Sequence, residues 1–225
     1  MLRDAVSVRT ALETNGFISR DDFLPDDTFR ALNDRVLQSW EGGNGWRTRV
    51  KGPAEAKVLP LQPPSKTLKI RSLLDEQANG ANSGFSYLYH SLHQENDDAG
   101  LIARISTAVI EEWNPVIKEL IGKWDRTNFS LTAYTPPSFL DSHTDHDPSG
   151  PRYQITLLLY FGDAGKQTKQ AGLVFDYLGR KSIIPATPNR AVLFVPSPET
   201  NHGIPRANVN GTPAYTRLAF SGWLI

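Results

Sequence analysis

Residues 139–147 read Phe139-Leu140-Asp141-Ser142-His143-Thr144-Asp145-His146-Asp147. After a turn through Pro148, Ser149, Gly150 and Pro151, the chain runs Tyr153-Gln154-Ile155-Thr156-Leu157-Leu158-Leu159-Tyr160-Phe161. The second run is apolar, bounded by turn residues, and reads as a core strand. Working outward, Phe129–Tyr134, Leu173–Tyr177, Ser182–Ile184, Ala191–Val195 and Leu218–Leu224 repeat the texture, separated by Gly, Pro and Asn turns. Short strands at that spacing predict an antiparallel sandwich or barrel. His143 and Asp145 stand at the end of one such strand. Residues two apart on an extended segment point to one side, so the imidazole and the carboxylate fall together.

His202, in Asn201-His202-Gly203-Ile204-Pro205, adds a second imidazole from another strand. Two imidazoles and one carboxylate on one face of a metal, with the remaining positions open, form the ligand set of non-heme Fe(II) oxygenases. A lone His-x-Asp occurs in many chains; the ordered set with strand-like flanks is far more specific. His146 and Asp147 are adjacent and lack the one-residue gap, which leaves His146 as a substrate contact or a solvated loop residue. His90 and His93 read as surface or lid residues. Arg217 opens the last strand, where its guanidinium can pair in bidentate fashion with a carboxylate. Tyr134 either packs in the core or donates its hydroxyl to that same carboxylate.

The N-terminal part reads differently. Residues 1–125 are expected to be mostly helical, a support and lid for a β core at 126–225, all within one domain spanning 1–225. Residues 6–15 predict a short helix ending at Asn15-Gly16. Asp26 or Asp27 is placed to cap a helix carrying Phe29, Leu32, Val36, Leu37 and Trp40 at helical spacing. Residues 51–66 hold four prolines and read as a loop, and residues 68–74 are ambiguous. Gly80 to Gly84 reads as a turn and Phe85 to His90 as a strand. Asp97 or Asp98 caps the strongest helix, whose stripe is Leu101, Ile102, Ile105, Val109, Trp113, Ile117 and Leu120. Pro115 is expected to kink or split it.

Composition narrows the function classes. Apolar residues are 39% and charged residues 21%, which is ordinary for a globular chain and not for a disordered one. Lys and Arg number 24, as do Asp and Glu, and no basic cluster interleaved with aromatics is visible, so no nucleic-acid partner is expected. The absence of cysteine excludes a disulfide framework and thiolate metal ligands. No apolar run approaches membrane-spanning length and none resembles a signal peptide, so the expected location is cytoplasmic with no membrane partner. Oligomeric state is not readable.

From about Asn128 onward the chain resembles the Fe(II)- and 2-oxoglutarate-dependent dioxygenase superfamily, near its prolyl-hydroxylase-like branch. The matching pieces stand in order: Leu131-Thr132-Ala133-Tyr134, then Phe139 through Asp145, then the long strand Tyr153 to Phe161. Ala171-Gly172-Leu173-Val174-Phe175 follows, with Ala171 where the family has a glycine. Pro188 to Phe194 precedes His202, and Arg217-Leu218-Ala219-Phe220-Ser221-Gly222-Trp223 closes the set. The resemblance implies a mainly β fold with N-terminal helices: a double-stranded β-helix, or cupin-like jelly roll, flanked by helices. It implies iron held by His143, Asp145 and His202, with 2-oxoglutarate chelating the metal and paired with Arg217, assisted by Tyr134. Some relatives carry a serine two residues after the arginine; Ala219 departs from that, and Tyr134 or Ser221 is available to compensate.

The implied reaction is hydroxylation of a small molecule, such as an amino acid or another metabolite, using O2 and releasing succinate and CO2. A carboxylate at Asp145 favours hydroxylation, desaturation or epoxidation over halogenation, because related halogenases have a small residue there. Arg152, His146 and Tyr89, together with Tyr87 and His90, are the candidate substrate contacts. Three other readings compete. A peptidyl or protein hydroxylase of the same family differs only in substrate. A non-catalytic jelly-roll module would close its metal with a fourth ligand. An oxygenase independent of 2-oxoglutarate would not need Arg217.

Overall fold

The strand Ile155–Phe161 is buried along its whole length, so both of its faces meet other parts of the protein. Ile155, Leu157, Leu159 and Phe161 belong to one apolar cluster, Leu158 and Tyr160 to another. That period of two splits the molecule into an outer layer, where helices cover the sheet, and an inner layer. The structure is a computed structural model that describes residues 5–53, 55–78, 84–150, 152–163, 172–206 and 216–225.

In chain order the elements are α1 (Ala5–Asn15), β1 (Phe17–Arg20), α2 (Asp26–Gly42), β2 (Arg47–Lys51), β3 (Lys57–Pro60), α3 (Pro64–Ala78), β4 (Tyr87–His93) and α4 (Leu101–Leu120). Then come β5 (Thr127–Tyr134), β6 (Phe139–His143), β7 (Ile155–Phe161), β8 (Leu173–Tyr177), β9 (Arg180–Ile184), β10 (Ala191–Phe194), β11 (Thr200–Ile204) and β12 (Arg217–Leu224). The strands order as β1-β10-β7-β12-β5-β4-β6-β11-β8-β9, with β2 on β4 and β3 on β2. Every described pairing is antiparallel.

The sheet curls until its far ends meet. Phe175 of β8 and Phe194 of β10 sit edge to face at 5.1 Å between centroids, although many strands separate them in the ladder. This is the jelly-roll core that the resemblance implies. Trp113, Ile105, Val109 and Ile117 of α4 are buried with Phe129, Leu131 and Phe220 on the outer face. The β12–β7 register pairs Trp223 with Thr156 and Leu218 with Phe161, and β12–β5 pairs Arg217 with Tyr134. Those registers carry Thr156, Tyr160, Arg217, Ser221 and Trp223 to the inner face.

Several local expectations are corrected. Among the described residues of 1–125, the strands β1 to β4 lie beside α1 to α4. Within 51–66, β3 pairs only with β2, so Pro60 sits on an edge strand where its missing N–H costs no ladder bond. Pro64 opens α3, a position that suits its fixed φ. Asp26 and Asp27 occupy the first turn of α2 behind Pro25 and make no cap bond. Asp97 does take the Ile102 N–H, at 2.6 Å, although Gly100 holds the cap position. Pro115 lies inside an uninterrupted α4. It and Glu111, whose carbonyl loses its bond, are exposed, so water reaches the orphan acceptor. Of the turn at Gly80–Gly84, residues 80–83 lie outside the described residues, as do Pro151 and Ala171. No described helix is long and apolar enough to cross a membrane.

His90 is also corrected. It is not on the surface but 2% exposed, with Nδ1 3.1 Å from the Thr48 hydroxyl and the Trp40 ring beside it. Burial pushes its pKa down to about 4 from the ordinary 6.5. Its folded value is depressed, so the unfolded chain takes up the proton first as pH falls. The contribution is whole above pH 6.5 and is lost towards pH 4. Urea unfolding at pH 7 and pH 4.5 should show a loss of stability, up to about 3 kcal/mol of it from this residue. His90→Gln should flatten that part of the slope. His93 and His202 are shifted the same way and sustain the rest. An unchanged slope in the variant would remove His90 from the account.

Candidate metal centre

Strands β6 and β11 are neighbours, and their register sets His143 opposite His202. The two rings lie 4.4 Å apart between centroids. Asp145 lies two residues past the end of β6. The Thr144 hydroxyl donates to the Ser197 carbonyl at 2.6 Å, which ties this exit to the segment before β11. The geometry then converges: His143 Nε2 is 3.5 Å from Asp145 Oδ1, and His202 Nε2 is 3.6 Å from Asp145 Oδ2. One donor atom from each of the three residues lies within 4.8 Å of the others.

The backs of the ligands are fixed. His143 Nδ1 faces the Asp141 carbonyl at 3.0 Å and His202 Nδ1 faces the Thr200 carbonyl at 3.5 Å. A carbonyl only accepts, so each Nδ1 carries the proton and each Nε2 lone pair points inward. Asp145 Oδ2 accepts from Thr156 Oγ1 and from Trp223 Nε1, both at 2.9 Å. These bonds leave Oδ1 as the carboxylate oxygen free to bind a cation. Such outer partners orient ligands and set their basicity.

The electrostatics agree. Burial pushes the Asp145 carboxyl up, but its neighbours His143, His202 and Trp223 outweigh that, so the group stays well below the usual carboxylate range. Burial lowers His202 to about 4 against the pull of Asp145, so it is neutral near pH 7. A buried carboxylate and an unprotonated imidazole are the forms that bind a divalent cation. The donor set of two nitrogens and one oxygen suits Fe(II) with open positions.

Arg217 is 2% exposed at the start of β12. Its Nη2 donates to the Tyr160 hydroxyl at 3.2 Å, and its guanidinium carbon lies 5.2 Å from the Tyr134 ring centre. Its Nε has no partner among the described residues. A buried cation with an unsatisfied donor is costly, so the arrangement suits an anion arriving in the cavity. That cavity, about 360 Å³, is lined by all three metal-ligand candidates, Arg217, Tyr134 and Tyr89, among others. Burial raises the Tyr134 hydroxyl well above its ordinary value, which keeps it a neutral donor.

The structure brings His143, Asp145, His202, Arg217, Tyr134 and Tyr89 to one cavity. It does not bring His146 and Arg152 there. Both are exposed and line an adjoining recess of about 420 Å³, which shares Asp145, Asp147 and Tyr153 with the cavity. Sequence reasoning missed Thr156, Tyr160 and Trp223 as site residues. A threonine and a tyrosine on the inner face of an otherwise apolar strand were the available signal, as was an indole at the end of the strand that Arg217 opens.

Comparison with known proteins agrees with this geometry. Residues 129–225 match the family described as the 2OG-Fe(II) oxygenase superfamily. The chain matches none of the curated proteins. Among solved structures it is similar to a prolyl-4-hydroxylase of Pseudomonas putida, at 18% identity and a TM-score of 0.63, covering 97% of this chain and 96% of that one. A prolyl hydroxylase of Trichoplax adhaerens, solved with a peptide fragment of the hypoxia inducible factor oxygen degradation domain, is 17% identical with a TM-score of 0.58, covering 96% and 86%. The non-heme alpha ketoglutarate dependent epimerase SnoN from nogalamycin biosynthesis is 10% identical with a TM-score of 0.61, covering 96% and 79%. At these identities the structures share the fold. Residues 129–225, which carry the His-Asp-His cluster inside that fold, are thus similar to the 2OG-Fe(II) oxygenase superfamily.

Proposed function

We propose that His143, Asp145 and His202 hold Fe(II), that Arg217 anchors 2-oxoglutarate, and that the chain hydroxylates a small molecule. The observation that carries this reading is one cavity in which three convergent donor atoms stand near a buried arginine with an unpaired N–H. We take residues 1–225 as one oxygenase domain. The reaction balances as R–H, 2-oxoglutarate and O2 giving R–OH, succinate and CO2, one oxygen atom entering each organic product.

Iron with 2-oxoglutarate and O2 supplies the oxidising chemistry; the side chains bind, orient and exclude water. Thr156 and Trp223 restrain Asp145 through Oδ2, so that its carboxylate faces the two Nε2 atoms. The Asp141 and Thr200 carbonyls keep both imidazoles in the binding tautomer. Arg217, supported by Tyr160, offers the free Nε to the distal carboxylate, and Tyr134 offers a neutral hydroxyl beside it. Ala219 leaves that role unfilled, and the Tyr160 hydroxyl stands beside the guanidinium instead. A metabolite-sized cavity supports the small-molecule reading over a peptide, and a cluster of three donors among the described residues favours an open centre over a closed structural one.

Two outcomes follow. Arg217→Ala should raise the 2-oxoglutarate concentration for half-maximal succinate release by about 10- to 100-fold, the worth of a charge-assisted bidentate pair. An unchanged requirement would remove Arg217 from cosubstrate binding. Trp223→Phe keeps an aromatic ring and removes the N–H, so anaerobic Fe(II) affinity by equilibrium dialysis should fall by about 10- to 100-fold, and Thr156→Val should act similarly. Wild-type affinity in both variants would mean that Asp145 Oδ2 needs no restraint.

A further inference from the structure

The walls of the metal cavity say more about its substrate than its volume does. Phe85, Tyr87 and Tyr89 alternate along β4 and its entry, so their rings share one face while Ser86, Leu88 and His90 are buried behind. Their centroids step at 5.7 Å and 5.3 Å, and Tyr89 then stacks on Tyr134 at 5.2 Å. Phe85 ends this row against His143, at 4.9 Å. A second aromatic wall lies beside the other ligand. Tyr153 stacks on Trp223 at 4.5 Å, and the Trp223 N–H bonds Asp145. The metal-ligand cluster thus has an aromatic row on its His143 side and an aromatic pair on its Asp145 side.

The charges beside the β4 row are one-sided. Lys51 Nζ sits 5.1 Å from the Phe85 centroid, and Arg217 lies over Tyr134. Arg49 bears electrostatically on Tyr87 and Tyr89. Ring faces that would otherwise attract a cation already have cations beside them. Of the lining carboxylates, Asp145 belongs to the metal cluster, and Asp147 is held by the backbone and hydroxyl of Ser149. Among the described residues the one lining carboxylate outside the metal cluster is Asp147, which is exposed and bears on Tyr153 rather than on the β4 row.

We propose that the compound oxidised here carries a flat aromatic ring system, neutral or acid-bearing, held between the face of Phe85, Tyr87 and Tyr89 and the face of Tyr153 and Trp223. This rests on the oxygenase reading above and narrows it. A free amino acid, with its ammonium group, fits this site poorly.

The test is calorimetric, on the full chain loaded anaerobically with Fe(II) and 2-oxoglutarate. The probes are 2-naphthoate, 2-naphthylmethylamine as its ammonium ion, L-proline and a proline-rich peptide. Naphthoate should bind at least about 10-fold more tightly than the ammonium compound, with L-proline and the peptide weaker than both. Tyr87→Leu should weaken naphthoate by about 10-fold, the worth of one ring contact, and Tyr87→Phe should restore it. Preferred binding of the ammonium compound, of proline or of the peptide would overturn the inference, as would naphthoate binding indifferent to Tyr87→Leu. The visible absorption of the loaded protein separates the two levels. If it never develops, the oxygenase reading fails; if it develops and naphthoate does not bind, only the substrate class fails.

Discussion

Everything at this site depends on one buried carboxylate. Asp145 is 9% exposed, and a carboxylate at that depth is unstable unless its oxygens are satisfied. Thr156 and Trp223 satisfy Oδ2, and the two imidazoles face the group from the other side. Each partner comes from a different strand: β7, β12, β6 and β11. The carboxylate is therefore positioned only when the sheet has curled, and the curl itself is closed by contacts such as Phe175 on Phe194. Fold and site are coupled through this residue.

Arg217 is placed by the same logic from the opposite direction. A cation that is 2% exposed, beside Tyr134 and Tyr160 and with an unpaired Nε, holds an arrangement that an arriving anion improves. The protein stores the cost of desolvating this group in the folded state. Oriented donors are then present before an anion arrives, which is how preorganised sites gain from low dielectric.

The β half of the fold was legible because its strands alternate or run apolar between strong turn residues. The convergence of His143, Asp145, His202 and Arg217 on one cavity was legible because residue type and order are specific together. Within residues 51–66, read as a loop, β3 was missed because prolines normally argue against strands, and an edge position removes that argument only once the pairing is known. His90 was misread because a histidine carries no burial signal of its own. Thr156, Tyr160 and Trp223 were hidden for a different reason: their roles come from cross-strand register, which sequence spacing does not encode. His146 and Arg152 lie close in sequence to Asp145, yet the turn after it carries them to the adjoining recess.

The most direct test of the central claim is anaerobic reconstitution with Fe(II) followed by 2-oxoglutarate, with the visible spectrum recorded at each addition. A weak charge-transfer band should appear only when both are present, and it should be absent in Asp145→Ala. Tight Fe(II) binding with no band on adding 2-oxoglutarate would contradict an open three-residue centre that takes a chelating cosubstrate.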